Sequence, residues 1–150
     1  MKKLLLVLSI SLFSVASFAQ EIKWMTMNEA LEAQKKDPKP IFMDVYTDWC
    51  GPCKMLDKNT FHDASIVELV SKNYYAVKFN AEGNEIITFK GVKYTNPKYV
   101  AGKTGRNSMH EFTSFLAVQG YPTMYIFDKD GDIKSNIVGY RTAEQLKTEL

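Results

Sequence analysis

The run Ile41–Thr47, IFMDVYT, is the feature that most restricts the fold of this chain. It is short, largely apolar and rich in β-branched and aromatic residues, a composition typical of a strand buried inside a sheet. One charged residue, Asp44, falls in the middle of this run. Because such a strand is normally covered by helices, the run indicates an α/β architecture.

Helical and strand patterns alternate along the rest of the chain. Capping residues, turn residues and hydrophobic spacing predict helices over residues 26–36, 49–59, 63–72, 108–120 and 142–150, and strands over 41–47, 74–81, 122–128 and 132–140. The last two strands form a hairpin around a Lys-Asp-Gly turn. This order predicts a mixed central β-sheet flanked by helices.

The first nineteen residues have the pattern of a secretory signal peptide. A basic start, MKK, precedes an apolar stretch, and Ser17-Phe18-Ala19 supplies the small residues of a cleavage site. The apolar stretch is short for a retained membrane anchor, which needs about 20 residues. We therefore expect residues 1–19 to be removed near Ala19-Gln20, leaving an exported, periplasmic protein with one domain over residues 20–150.

The expected mature chain carries no net charge. The full sequence has 19 Lys and Arg against 17 Asp and Glu, and the excess equals Lys2 and Lys3 of the signal peptide. A neutral domain lacks the basic surface that is typical of nucleic-acid-binding proteins, so a nucleic-acid partner is not expected.

Only two cysteines are present, Cys50 and Cys53. As a structural disulfide they would close a very short loop, for which the gain in chain entropy is small. As zinc ligands they would need two further partners, and the two histidines, His62 and His110, lie 48 residues apart. We therefore expect no metal and no cofactor, and interpret the pair as a redox-active disulfide. Neither histidine is assigned a catalytic role; His62 is expected at the helix junction after the cysteines and His110 on the surface.

The predicted helix gives the two cysteines different roles. Cys50 falls in its first turn, where unpaired N–H groups and the helix dipole stabilise a thiolate and lower the cysteine pKa below about 8.5. Cys53 lies one turn further on, where it can attack a mixed disulfide formed at Cys50. Pro52 lies near the helix start, where its missing N–H costs little.

Asp44 allows two interpretations from the residues alone. A buried carboxylate tends to keep its proton and can exchange it with a nearby thiol. Alternatively, Asp44 lies at a strand edge with its carboxylate in water, which is the commoner arrangement for aspartate.

Three stretches resemble segments of the thioredoxin superfamily, in the family's order. DVYTDWCGPCK is similar to the active-site segment, VKFN to the next core strand, and VQGYPTMYIFDKDGDI to the cis-proline segment and its hairpin. The resemblance covers most of Ile41–Leu150 and implies a thioredoxin fold. KPIFMDVYTDWCGPCK with TFHDASIVELV also resembles the exported branch of the family. These stretches are especially similar to the C-terminal thioredoxin-like domain of the periplasmic thiol:disulfide interchange reductase.

The resemblance also implies a role for individual residues. It implies that Cys50 attacks, that Cys53 resolves, and that Asp44 and Lys78 form a buried pair that tunes proton transfer to Cys53. It further implies that the Tyr121-Pro122 peptide bond is cis. The expected substrate-contacting rim consists of Trp49, Gly51, Pro52, Tyr121, Pro122 and Thr123.

An insertion over about residues 82–107 precedes the cis-proline segment and exceeds the minimal thioredoxin pattern by roughly 25 residues. Between Ile86 and His110 it contains no acidic residue; its cations are Lys90, Lys93, Lys98, Lys103 and Arg106, and Phe89, Tyr94 and Tyr99 are interleaved with them. The insertion either docks a partner or packs its aromatic residues on the domain, and the pattern favours packing.

The sequence therefore predicts an exported, thioredoxin-like protein-disulfide reductase. Its partners would be protein disulfide substrates and an upstream thiol electron donor such as a membrane reductase. The dipeptide Gly51-Pro52 resembles that of the reducing family members. A disulfide oxidase or isomerase, and a non-catalytic thioredoxin-fold binding module, are the alternatives.

Overall fold

The computed structural model describes residues 20–150, and the expected signal peptide lies outside them. In chain order the elements are α1 (Met27–Lys36), β1 (Ile41–Tyr46), α2 (Gly51–Asn59), α3 (Ala64–Asn73), β2 (Tyr75–Asn80), β3 (Ile87–Phe89), β4 (Val92–Tyr94), α4 (Glu111–Phe115), β5 (Thr123–Phe127), β6 (Ile133–Val138) and α5 (Ala143–Glu149). Within residues 20–150, no helix is both long and apolar enough to cross a membrane.

Four strands form the central sheet in the order β2-β1-β5-β6. Strand β1 runs parallel to β2 and antiparallel to β5, and β5 pairs antiparallel with β6. The sheet is therefore mixed, as the sequence predicts, with the final hairpin at one edge.

Local sequence signals start α1 and α5 as predicted. The Thr26 side chain accepts the N–H of Glu29, and the Glu29 carboxylate accepts the N–H of Thr26, which completes a capping box at α1. Thr142 and Gln145 form the same reciprocal pair at α5. The capping boxes therefore place both helix starts correctly.

The sheet separates two hydrophobic cores, and alternate residues of β1 contribute to each. Ile41, Met43 and Val45 belong to the core that α1 and the insertion cover. Phe42 belongs to the opposite core, together with side chains of α2, α3 and α5. Because side chains alternate across a strand, Asp44 shares the face of Phe42 and points towards the helices that follow the cysteines.

The insertion contains a hairpin that the sequence does not predict. Strands β3 and β4 pair antiparallel around Lys90 and Gly91, which both have positive φ angles, 49° and 78°. Each strand has three residues, too few for a recognisable alternation, and Lys-Gly is a weaker hairpin signal than Asn-Gly. The short strands and the weak turn signal together explain why the sequence does not predict this hairpin.

Two aromatic residues of this hairpin pack on the domain. Phe89 is buried, with its ring 5.5 Å from that of Phe112 and 5.9 Å from that of Phe127. Tyr94 lies with its ring centroid 5.2 Å from that of Phe112. The packing interpretation is therefore confirmed for this half of the insertion.

The helix predicted over residues 108–120 is shorter and begins differently. His110 is its N-cap: Nδ1 accepts the N–H of Phe112 at 3.0 Å, and Nε2 donates to the Glu85 carbonyl oxygen at 2.7 Å. His110 is fully buried, so the expectation of an exposed side chain was wrong. The spacing of Ser108 and Glu111 predicts a capping box, but the Glu111 carboxylate accepts the N–H of Thr95 in the insertion at 2.7 Å instead. Contacts from the insertion override the local capping pattern.

Candidate active site

Strand β1 delivers the chain to the start of α2, where both cysteines lie. Cys50 is the N-cap of α2 and Cys53 lies in its first turn; the two form a disulfide with a Cα–Cα distance of 5.3 Å. The N–H of Cys53 donates to Sγ of Cys50 at 3.1 Å. Once the disulfide is reduced, this donor and the helix dipole favour a thiolate on Cys50. The geometry therefore supports Cys50 as the attacking cysteine.

The two cysteines themselves are nearly enclosed. Cys50 is 3% and Cys53 2% exposed, whereas Gly51 and Pro52 between them are exposed and Trp49 is half-buried. An approaching partner therefore meets the Gly51-Pro52 turn and the indole ring before it reaches a sulfur.

Asp44 lies in the interior of the protein and pairs with Lys78. The side chain of Asp44 is fully buried, and Lys78 is its direct register neighbour on β2. Nζ of Lys78 donates to Oδ2 of Asp44 at 2.8 Å. The strand-edge interpretation of Asp44 was therefore wrong, and the pair that the resemblance implies is formed.

A second carboxylate, which the sequence analysis missed, shares the same lysine. Asp57 lies on α2 four residues after Cys53, and its Oδ1 accepts a hydrogen bond from Nζ of Lys78. The exposed fraction rises from 0% for the Asp44 side chain to 20% for Lys78 and 44% for Asp57. The three groups thus connect the protein interior to solvent. The i, i+4 spacing from Cys53 was the available signal for Asp57.

Three aromatic rings surround the ammonium group of Lys78. Its Nζ lies 5.0 Å from the ring centroids of Trp24 and Tyr46 and 5.3 Å from that of Phe61. Cation–π contacts of this kind hold a partly desolvated ammonium in place. Lys78 is therefore fixed between its two carboxylates.

The buried position shifts the pKa of Asp44 towards neutrality. Burial raises this pKa to about 6, the charge and hydrogen bond of Lys78 oppose the rise, and the Asp57 carboxylate adds to it. Oδ1 of Asp44 has no hydrogen-bond partner among residues 20–150. For Lys78, burial favours the neutral amine, but both carboxylates outweigh it and raise the pKa. Asp44 can therefore change protonation near neutral pH, as a proton-transfer group requires.

Removing the charge of Asp57 should lower the pKa of Asp44. Asp57→Asn removes a negative charge that repels the Asp44 carboxylate, and within residues 20–150 it leaves Asp44 as the one carboxylate paired with Lys78. Both changes favour the ionised form of Asp44. We expect an NMR titration of the Asp44 carboxyl carbon to give a pKa below the value of about 6. Glu68→Gln, at an exposed position of α3, is the charge-matched control and should leave the titration unchanged. An Asp44 titration that does not move in Asp57→Asn would show that the two carboxylates are not coupled.

The cis-proline segment lies next to the tryptophan that precedes Cys50. The Tyr121-Pro122 peptide bond is cis, as the resemblance implies. The ring of Tyr121 meets that of Trp49 edge-on, with 5.8 Å between centroids. Thr123 differs from the prediction: it is fully buried and its hydroxyl donates to the Gly120 carbonyl at 2.7 Å. The Thr123 side chain is therefore not exposed to a substrate, and its predicted place in the substrate-contacting rim was wrong.

The insertion also reaches this tryptophan, which the sequence analysis did not foresee. Nε1 of Trp49 donates to Oε2 of Glu82 at 3.0 Å, and the N–H of Asn107 donates to the same oxygen at 2.7 Å. The guanidinium carbon of Arg106 lies 4.1 Å from the centroid of the indole. Both ends of the insertion are thus in contact with the residue adjacent to Cys50.

The remaining candidate ligands do not gather into a metal site. Among the described residues there is no cluster of three or more His, Cys, Asp or Glu side chains arranged to hold a metal. His62 lies at the end of α2, with Nδ1 2.6 Å from the Asp57 carbonyl oxygen, as expected for a residue at this helix junction.

A disulfide at the N-terminus of a helix, on a sheet of this topology, defines a thiol–disulfide oxidoreductase of the thioredoxin class. The sequence profile of the thioredoxin-like domain matches residues 27–150, and the chain belongs to that family. Its redox pair is Cys50–Cys53. The family resemblance and the α/β thioredoxin fold predicted from the sequence are thereby confirmed.

Individual relatives are distant but cover most of the chain. The thiol:disulfide interchange protein DsbD of Pectobacterium atrosepticum is 29% identical over 139 residues, which are 91% of this chain and 20% of that protein. The chain thus spans only about a fifth of the length of this curated relative.

Solved structures show the same architecture. A Bacteroides thetaiotaomicron protein, described as a candidate disulphide-isomerase, is 26% identical with a TM-score of 0.61, covering 89% of this chain and 93% of its own. A thioredoxin from Thermus thermophilus has a TM-score of 0.62 at 14% identity, covering 86% and 84% of the two chains, and shows the shared fold alone.

Proposed function

We propose that this protein is an exported reductase of protein disulfides. The Cys50 thiolate attacks a substrate disulfide, forms a Cys50–substrate disulfide and releases one substrate thiolate. The Cys53 thiolate then attacks Sγ of Cys50, forms the Cys50–Cys53 disulfide and releases the second substrate thiolate. Two electrons pass to the substrate, and an upstream dithiol returns the pair to the reduced state.

The observation that carries this proposal is the hydrogen bond from the Cys53 N–H to Sγ of Cys50 at the start of α2. This donor favours the thiolate form of Cys50 once the disulfide is reduced, and the thiolate is the nucleophile that the first step needs. Asp44, whose pKa burial raises to about 6, is ionised at pH 7, and we assign it as the base that accepts the proton of Cys53.

The sequence and a relative support the direction of electron flow and the choice of donor. Gly51-Pro52 is the dipeptide expected of a reducing couple, and the DsbD relative is by name a thiol:disulfide interchange protein. A signal-peptide pattern precedes the domain. We therefore assign the protein to the periplasm, with protein disulfides as substrates and a thiol donor, such as a membrane reductase, upstream.

Insulin reduction in the presence of dithiothreitol tests this function. Reduced protein should accelerate the precipitation of the insulin B chain well above the rate given by dithiothreitol alone, since the Cys50 thiolate reacts faster than a free thiol. Cys50→Ser, which lacks the nucleophile, is the matched control and should give the dithiothreitol rate. A native protein no faster than this variant would overturn the proposal in favour of a binding module.

A further inference from the structure

The second half of the insertion, residues 96–107, forms a closed loop that we call the basic loop. Nδ2 of Asn96 donates to the carbonyl oxygens of Gly83 and Ser108, at 2.9 and 2.8 Å, which ties the base of the loop together. Near its other end, the Asn107 side chain accepts the N–H of Val100 at 3.0 Å and donates to its carbonyl at 2.8 Å. These two asparagine side chains therefore connect the ends of the loop to each other and to the domain.

The basic loop is attached to the redox site through Trp49. One oxygen of Glu82 accepts both the Asn107 N–H and the indole N–H, so a single carboxylate joins loop and tryptophan. Arg106 stacks on the same indole at 4.1 Å. A guanidinium that stacks through its face keeps its N–H donors in the plane of the group, where they can bind a planar carboxylate.

The charge of the loop has one sign. Lys98, Lys103 and Arg106 are all exposed, and the loop contains no acidic residue. Two acids lie close to Trp49. Glu82 turns Oε2 towards the N–H groups of Trp49 and Asn107, and Asp48 accepts a hydrogen bond from Nδ2 of Asn80 at 3.1 Å. A chain that approaches the Gly51-Pro52 turn therefore meets the exposed Arg106 on the face of Trp49, and Lys98 and Lys103 are further exposed cations of the same loop.

We propose that the basic loop is a docking surface for an acidic segment of the partner protein, with Asp or Glu residues flanking the cysteine that exchanges at Cys50. Arg106 is its central contact, because it is the loop cation that touches the active-site tryptophan. Complementary charges of this kind select partners and speed encounter, and they weaken as salt screens them. The inference rests on the proposed function, because the docked partner is the protein whose disulfide Cys50 attacks.

Two disulfide peptides test the proposal: they share one cystine and differ only in carrying Glu or Lys on both sides of it. The native protein should reduce the Glu peptide with a kcat/KM about tenfold above that of the Lys peptide at low salt, a ratio that falls at high salt. In Arg106→Gln the ratio should drop to about threefold or less, and in Arg106→Glu to about one or below. Lys93→Gln, an exposed lysine of β4, is the control and should keep the native ratio.

The peptides also separate docking from a merely structural role for Arg106. If Arg106 only holds Trp49 in place, Arg106→Gln will slow both peptides by the same factor and leave the ratio unchanged, which would overturn the proposal. An equal ratio for the native protein and Arg106→Glu would do the same. Arg106→Lys, which keeps the charge but loses the planar fork, should retain more of the preference than Arg106→Gln.

Failure of the proposed function gives a different result. Thiol–disulfide exchange is reversible, so oxidised protein can be mixed with the dithiol forms of the same two peptides. A preference for the Glu peptide in that direction, without reduction of either disulfide, would contradict the reductase assignment and support the docking surface. Reduction of both peptides at equal rates would support the reductase and contradict the docking surface.

Discussion

Cys53→Ser should hold Cys50 in stable mixed disulfides with its partner proteins, and its turnover should fall to the background rate. The first attack needs only the Cys50 thiolate, whereas release needs a second thiolate in the first turn of α2, where Cys53 lies. The expected adducts can be seen on a non-reducing gel of periplasmic extract and identified by mass spectrometry after reduction.

The matched variant is Cys50→Ser, which keeps the second cysteine and removes the first. It should also lose turnover, but it should form few adducts, because Cys50 is the N-cap that receives the Cys53 N–H, whereas Cys53 lies inside the first turn of α2. Equal trapping by the two variants would contradict the assignment of Cys50 as nucleophile. No adducts with either variant would contradict catalysis by this pair.

Asp44→Asn should raise the free energy of unfolding at pH 7 by about 3 kcal/mol. The pKa of Asp44 is about 6 in the folded protein against an ordinary value of 3.8, so the folded state binds more protons between these two values. Stability contributed by Asp44 therefore falls as the pH rises from about 4 to about 6 and stays lower above it. A shift of about two units, at about 1.4 kcal/mol per unit, gives this upper estimate.

Urea unfolding of Asp44→Asn and the native protein at several pH values measures this effect. The stability gain should be largest above about pH 6 and should vanish below about pH 4, where both states of the native protein are protonated. Lys78 keeps Asp57 as a partner in the variant, so no buried ammonium is left unpaired. Asp130→Asn, at an exposed position, should show no such pH dependence. If Asp44→Asn is less stable than the native protein at pH 7, burial of the ionised Asp44 carboxylate does not destabilise the fold.

Sequence patterns predicted the parts of this fold that depend on neighbouring residues. The apolar run of β1 identified the central strand, and the capping boxes at Thr26 and Thr142 placed two helix starts. Cys50 and Cys53 lie at the start of α2, as its N-cap and in its first turn, because strand, turn and helix follow one another directly. The burial of Asp44 could not be predicted in this way. The residues alone favour a position at a strand edge, whereas the family resemblance implies the buried position that the structure shows.

The features that the sequence did not predict depend on distant contacts. His110 is buried because the Glu85 carbonyl, 25 residues away, accepts its Nε2–H. Glu82 and Trp49 are 33 residues apart, and no local periodicity relates them. Asp57 lies on α2 with its side chain 44% exposed, and it joins the site only through Lys78, which is 21 residues away in the sequence. In each case the position of a polar side chain depends on a hydrogen bond to a residue far away in the sequence.

The redox potential of the Cys50–Cys53 couple tests the central claim most directly. Equilibration against glutathione or dithiothreitol buffers, followed by mass spectrometry of alkylated thiols, gives this potential. A reductase should lie near the value of thioredoxin, about −270 mV, since its disulfide must be more stable than those of its substrates. A potential near −120 mV, as in strongly oxidising members of the superfamily, would contradict it and assign the protein to disulfide formation.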